Sequence, residues 1–155
     1  MIAWANAESV FIALLERLLD SSSLNARAVH AGIVSNRGRM ELLRTLIPLN
    51  LDEEDQKTAM NLVERFKAPS SLRNELAHSV YVFGEDFKYT AIDVMTGQGI
   101  RKPTRKPFTK ARLNEIRNSF DRTVELNQDV WRFCHYLDQK RGQAPQEATP
   151  ERPSG

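Results

Sequence analysis

Arg73, Asn74 and His78 stand close together in the sequence and carry side chains suited to catalysis. A guanidinium is a permanent cation whose planar fork of donors matches phosphate oxygens. An imidazole exchanges protons near neutral pH, as general acid–base work requires. The amide of Asn74 can orient the His or hold a phosphate oxygen. Such a set could stabilise charge growing on a phosphate and move the protons of a displacement at phosphorus.

All three belong to one short helical pattern. Leu72 and Leu76 are four apart, one helical turn. Pro69 marks a break before it, Ser70 and Ser71 offer N-caps, and Glu75 lies near a capping-box position. Val80-Tyr81-Val82-Phe83 then reads as a strand, so His78 falls at the helix C-terminus. Residues five apart lie about 140° apart on a helix, whereas i and i+4 share a face. Asn74 and His78 therefore face together. Arg73 must reach around the turn or meet a His from a second copy. The Arg and His could instead serve the helix end, satisfying its carbonyls and its dipole.

Arg-Asn-x-x-x-His in a small helical chain resembles the Arg-x4-6-His motif of the HEPN superfamily, which has a polar residue after the Arg. The surrounding order of helices extends the likeness over most of residues 1–141. The HepT-type toxins carry Tyr two residues after the His, whereas Tyr81 here comes three after. The resemblance implies a helical bundle that forms a homodimer with a composite Arg/His site, in many members a metal-independent endoribonuclease. It also implies possible company: an antitoxin, or a nucleotidyltransferase beside which some HEPN-like chains work.

The chain has 155 residues, enough for one domain with a single core. Its net charge of +2 demands no nucleic-acid partner by itself, so any such argument rests on local clustering. A single cysteine, Cys134, excludes an internal disulfide and a Cys-based zinc site, and the pattern makes it a core residue. His30, His78 and His135 lack metal-ligand spacing, so no metal or other cofactor is expected. No targeting segment is visible, and the longest apolar run, Val10 to Leu15, is too short to span a bilayer; the expected location is the cytoplasm, with no membrane partner.

Helical spacing recurs along the chain. Residues 3–20 carry Phe11, Leu14, Leu15, Leu18 and Leu19 on one face, and Ser21-Ser22-Ser23 breaks the pattern. Residues 24–34 turn Ala28, Val29 and Ile33 inward. A third pattern holds Met40, Leu43, Leu46 and Ile47 and ends at Pro48 or a turn earlier. The spacing leaves open whether 24–47 is one bent helix or two. Asp52 caps a helix to about Lys67 with Met60, Val63 and Phe66 inward, its first turn acidic as the helix dipole favours. After the motif, Val80-Phe83 and Phe87-Thr96 read as a two-stranded hairpin around Gly84-Glu85-Asp86. The rings of Tyr81, Phe83, Phe87 and Tyr89 either stack unpaired bases or cover the edge of the helical core, and the second reading is preferred.

Residues 97–108 read as a flexible linker. With Lys110 and Arg112 beyond it, residues 101–112 carry six cations (Arg101, Lys102, Arg105, Lys106, Lys110 and Arg112) and no acid, a density suited to RNA phosphates and equally to a solvated loop. Thr109 caps a last helix to about Arg141, with Leu113, Ile116, Phe120, Val124, Trp131, Cys134 and Leu137 inward. Asn127 lies in that stripe, where an Asn can fix register in a bundle or a dimer. Residues 142–155 read as a disordered tail.

The expected fold is mostly α: a bundle of four to six helices with a short two-stranded hairpin after the motif helix. The expected function is an endoribonuclease of defence or toxin–antitoxin type, with Arg73, Asn74 and His78 catalytic. The alternative is a non-catalytic RNA-binding or protein-interaction module on the same bundle. No Gly-rich phosphate loop or Ser/His/Asp set points to nucleotide or acyl chemistry.

Overall fold

A computed structural model describes residues 2–86, 88–94 and 104–143. Its elements are α1 (Ile2–Leu19), α2 (Ser23–Gly32), α3 (Asn36–Asn50), α4 (Glu53–Arg65), α5 (Lys67–Ala77), β1 (Ser79–Phe83), β2 (Tyr89–Val94), β3 (Thr104–Pro107) and α6 (Lys110–Gln143). The mostly helical bundle expected from the apolar spacing is what the chain forms. α1 packs along α6 and against α2 and α3, while α4 and α5 lean on α6 from another side.

Helix ends follow local chemistry. Asp20 takes a left-handed backbone (φ 46°) and ends α1, as a short polar residue can. Ser22, Ser35 and Asp52 cap α2, α3 and α4 by accepting backbone N–H bonds from Asn25, Gly38 and Asp55. The Ser35 cap settles that 24–47 is two helices. Gly38 allows the first turn of α3 to approach α2's end, because a Cβ there would sit 2.8 Å from Ile33 Cγ2. Pro48 does not end α3, which continues to Asn50 with Leu51 N–H donating to Ile47 O.

Two apolar helix faces differ from expectation. In α2 the buried residue is Ala26, with Ala28 and Val29 exposed and Ile33 half-buried. In α6 the core takes Leu126, Val130, Phe133, Cys134 and Leu137, while Leu113, Phe120, Val124 and Trp131 stay exposed. Around the helix, the buried set is centred about 115° from the exposed one. The core joins these α6 residues to Phe11, Leu14 and Leu18 of α1, Leu43 and Ile47 of α3, Leu62 and Val63 of α4, and Phe66 at the α4–α5 joint. The rings of Phe11 and Phe66 meet edge to face at 5.1 Å.

Ion pairs clasp α6 to the rest. Arg17 donates two bonds to Asp138, at 3.0 and 2.7 Å. Lys140 donates to Asp52 and, at 2.8 Å, to the buried Asp55. The Arg17 hydrogen bond holds the Asp138 carboxyl below its ordinary range, and the Lys140 bond does the same for Asp52. Both folded values are depressed, so their stabilisation is complete above the ordinary carboxylate range and is lost as pH falls through the folded values. The urea midpoint is expected to hold from pH 7 to about 5 and to drop towards pH 3. Asp138→Asn should lower the midpoint at pH 7 and flatten that drop; an identical acid profile in the variant would refute this contribution.

Cys134 is fully buried, and burial pushes its thiol up to about 11. In the native chain it is expected to resist a disulfide reagent at pH 8 and to react fully in denaturant. Rapid native labelling would contradict this packing.

The strands form one antiparallel sheet in the order β1-β2-β3. The expected hairpin is thus three-stranded, and residues 104–107, read as flexible linker, form its third strand. Arg105 pairs with Asp93, Lys106 with Ile92, and Pro107 with Ala91 at the strand end, where proline is tolerated. The free backbone edge of β2 selects this partner, although the residues themselves are charged and proline-flanked. Ile92 is fully buried but outside the main core cluster. β2 is described only from Tyr89 to Val94; Phe87, Met95 and Thr96 lie outside the described residues, as do 144–155 of the expected tail.

Candidate active site

α5 begins at Lys67, ahead of the serines expected to cap it. Ser70 and Ser71 lie inside it, Phe66 precedes it without a side-chain cap, and Pro69 sits buried in its first turn. A first-turn proline lacks only an N–H that would find no partner within the helix, so it does not break the chain. Pro69, Leu72 and Leu76 are buried or half-buried. Pro69 and Leu72 line a groove with Asn114, Asn118 and Arg122 of α6. Asn74 and His78 turn away from that side, and both are exposed, as is Arg73.

The end of α5 is fastened without the His ring. His78 N–H donates to Asn74 O at 3.1 Å, Ser79 Oγ donates to Glu75 O, and Tyr81 OH donates to Leu76 O at 3.1 Å. β1 side chains therefore satisfy the Glu75 and Leu76 carbonyls. The His78 imidazole makes no hydrogen bond to a described residue, so it is not spent on its own helix end. Arg73 Nη1 donates to Asn74 Oδ1 at 3.0 Å. Asn74 thus holds the guanidinium rather than the imidazole, although it shares a face with His78.

The basic segment is largely neutralised from elsewhere in the chain. Arg105 donates two bonds to Asp93, at 2.8 and 2.9 Å. Lys106 donates to Glu75 Oε2 at 2.8 Å, and Arg112 donates to Glu75 Oε1 and to Glu115. Lys110 is exposed and has no side-chain partner among the described residues, while Arg101 and Lys102 lie outside them. Glu75, expected near a helix cap, instead joins α5 to β3 and α6. No local pattern signals that role, because its partners are 31 and 37 positions away.

The aromatic rings of the sheet do not cover the helical core. Tyr81, Phe83 and Tyr89 are 43%, 53% and 60% exposed. Tyr89 contacts Tyr81 at 5.6 Å, Phe83 at 4.6 Å and Phe108 at 6.5 Å between centroids. The row begins beside the motif, since the Tyr81 hydroxyl reaches Leu76, two residues from His78.

Neither the α5–α6 groove nor a cleft of 670 Å³ between α1, α2 and α6 is lined by Arg73, Asn74 or His78. Within the described residues, all three side chains of the motif stand exposed. Among the described residues, no three His, Cys, Asp or Glu side chains gather as metal ligands would, and no helix is long and apolar enough to cross a membrane. Compared with models of known families, with characterised proteins and with solved structures, the chain finds no match in any of the three.

Proposed function

We propose that the chain is a metal-independent endoribonuclease of HEPN type. The observation carrying this reading is that Arg73, Asn74 and His78 are all exposed at one helix end, where β1 side chains rather than the imidazole satisfy the Glu75 and Leu76 carbonyls. In the reaction, the ribose 2′-OH attacks the adjacent phosphorus and the bond to the 5′ oxygen breaks. One His78 imidazole takes the proton from the 2′-OH, and the departing 5′ oxygen takes a proton from the other copy's His78 or from water. Arg73 stabilises the charge on the non-bridging oxygens, with Asn74 holding its fork in place. The products end in a 2′,3′-cyclic phosphate and a 5′-hydroxyl. Because Arg73 and His78 lie about 140° apart on one helix, the working site pairs Arg73 of one copy with His78 of another across a twofold axis.

The same reading makes it a cytoplasmic nuclease of defence or toxin–antitoxin type, restrained by an antitoxin or working beside a nucleotidyltransferase. The test is incubation of purified chain with unstructured RNA and chelator, followed by end-group analysis. Cyclic-phosphate ends that disappear in Arg73→Ala and His78→Ala support the reading; cleavage unaffected by either change refutes it.

One observation favours a second reading, a non-catalytic binding module. Arg105, Lys106 and Arg112 are engaged by carboxylates, which leaves fewer cations to grip a backbone. Salt-sensitive RNA binding without cleavage products would select that reading.

A further inference from the structure

Leu113, Phe120, Val124 and Trp131 fall within about 40° of one another around α6 and span about 27 Å of its length. They are 53%, 54%, 36% and 44% exposed, although each is a large apolar group. Leu24, Val34 and Leu49 are exposed too, but they do not extend this line, and scattered apolar residues need no explanation. A continuous stripe does.

Its spacing identifies its occupant. From Leu113 the intervals are seven, four and seven residues, and they read the same from Trp131 backwards. A helix laid antiparallel on an identical helix brings each position against its mirror position, so only a stripe with this symmetry meets itself along its whole length. In that register Leu113 lies against Trp131 of the second copy and Phe120 against Val124. Each contact joins a large side chain to a smaller one, which lets the two rows interdigitate. Half-buried Asn127 borders the row on one flank at the level of Ile116 of the other copy, and Arg117 borders the other flank at the level of Gln128. No like-charged pair falls inside the apolar row.

We infer that two copies of this chain pack antiparallel through the 113–131 face of α6. The inference does not depend on the nuclease reading. α5 meets α6 through Asn114, Asn118 and Arg122, on the side opposite the stripe, so this contact does not bring the two motifs together. With each aromatic roughly half wet, the rows and rims of two copies would bury about 1,000 Å², near the lower bound for a specific interface. The dimer should therefore be concentration-dependent.

Sedimentation of the full chain from roughly 5 to 300 µM tests this, a range suited to an interface of that size. The expected result is a concentration-dependent self-association that Phe120→Asp and Val124→Asp each lower by one twofold step with unchanged circular dichroism, to monomers or to the motif-facing pairs of the proposed function. Should either variant fail to fold, cysteine cross-linking reads the register independently. Leu113→Cys with Trp131→Cys should give a covalent dimer under mild oxidation, while Leu113→Cys alone should not. Those two sites are too far apart to join within one chain, and Cys134 is buried. A chain monomeric throughout leaves the stripe to a different partner and overturns the proposal. So does a dimer indifferent to both aspartates, or a covalent dimer from Leu113→Cys alone, which means parallel packing. None of these readouts involves RNA, so a failed cleavage assay leaves them standing.

Discussion

His78→Ala is expected to cut RNA cleavage by about 10²–10⁴-fold, the usual contribution of a positioned acid or base. Arg73→Ala should cost about 10²–10³-fold, as when one preorganised electrostatic donor is lost. Neither change should alter the fold, because both side chains are exposed and neither supports the helix end. Thermal melting and far-UV dichroism should match the parent chain, so lost activity could not be blamed on unfolding. Arg73→Lys keeps the charge but not the fork that Asn74 engages, and should recover only part of the rate. If sites are built from two copies, mixing the two inactive alanine variants should restore some cleavage, since a mixed pair holds one intact Arg and one intact His facing each other. Full activity in both alanine variants would end the nuclease proposal.

Phe66→Ala is expected to cost about 3–5 kcal/mol of stability. Phe66 is 1% exposed and sits where α4 gives way to α5, with its ring edge against Phe11. Truncation removes that aromatic contact and leaves a cavity at the joint that aims the motif helix. Against a total of about 5–15 kcal/mol for a domain, this is a large fraction. Chemical denaturation would show it as a lowered midpoint with little change in slope. A loss under about 1 kcal/mol would mean that neighbours collapse into the space and that Phe66 does not brace the joint.

The helices were legible because helical spacing is a local signal. Leu14 and Leu18, or Leu43 and Ile47, announce a face whatever lies opposite. The choice of face was not always legible. α6 carries two apolar rows, and hydrophobicity alone does not say which one the rest of the chain will cover. Leu126, Val130 and Phe133 won because α1 packs against them, leaving Phe120 and Trp131 in water. β3 was hidden for a related reason: Thr104 to Pro107 have little strand character, and only the open edge of β2 recruits them. At the motif, residue identity was legible and partnership was not. Nothing near Lys106 or Arg112 indicated that one distant carboxylate would engage both.

That carboxylate has a consequence for how the motif helix is aimed. Glu75 fastens three elements at once, and the Arg112 side chain it grips is only 11% exposed, with Nε unsatisfied among the described residues. A cation so deep cannot simply turn to solvent if Glu75 is lost; it keeps Glu115 and must shift to find water. Glu75 follows Asn74 directly, so any such shift reaches the backbone that presents Arg73 and His78. The tilt of a surface-exposed triad is in this way governed from beneath, by a tether that never touches what the triad would hold.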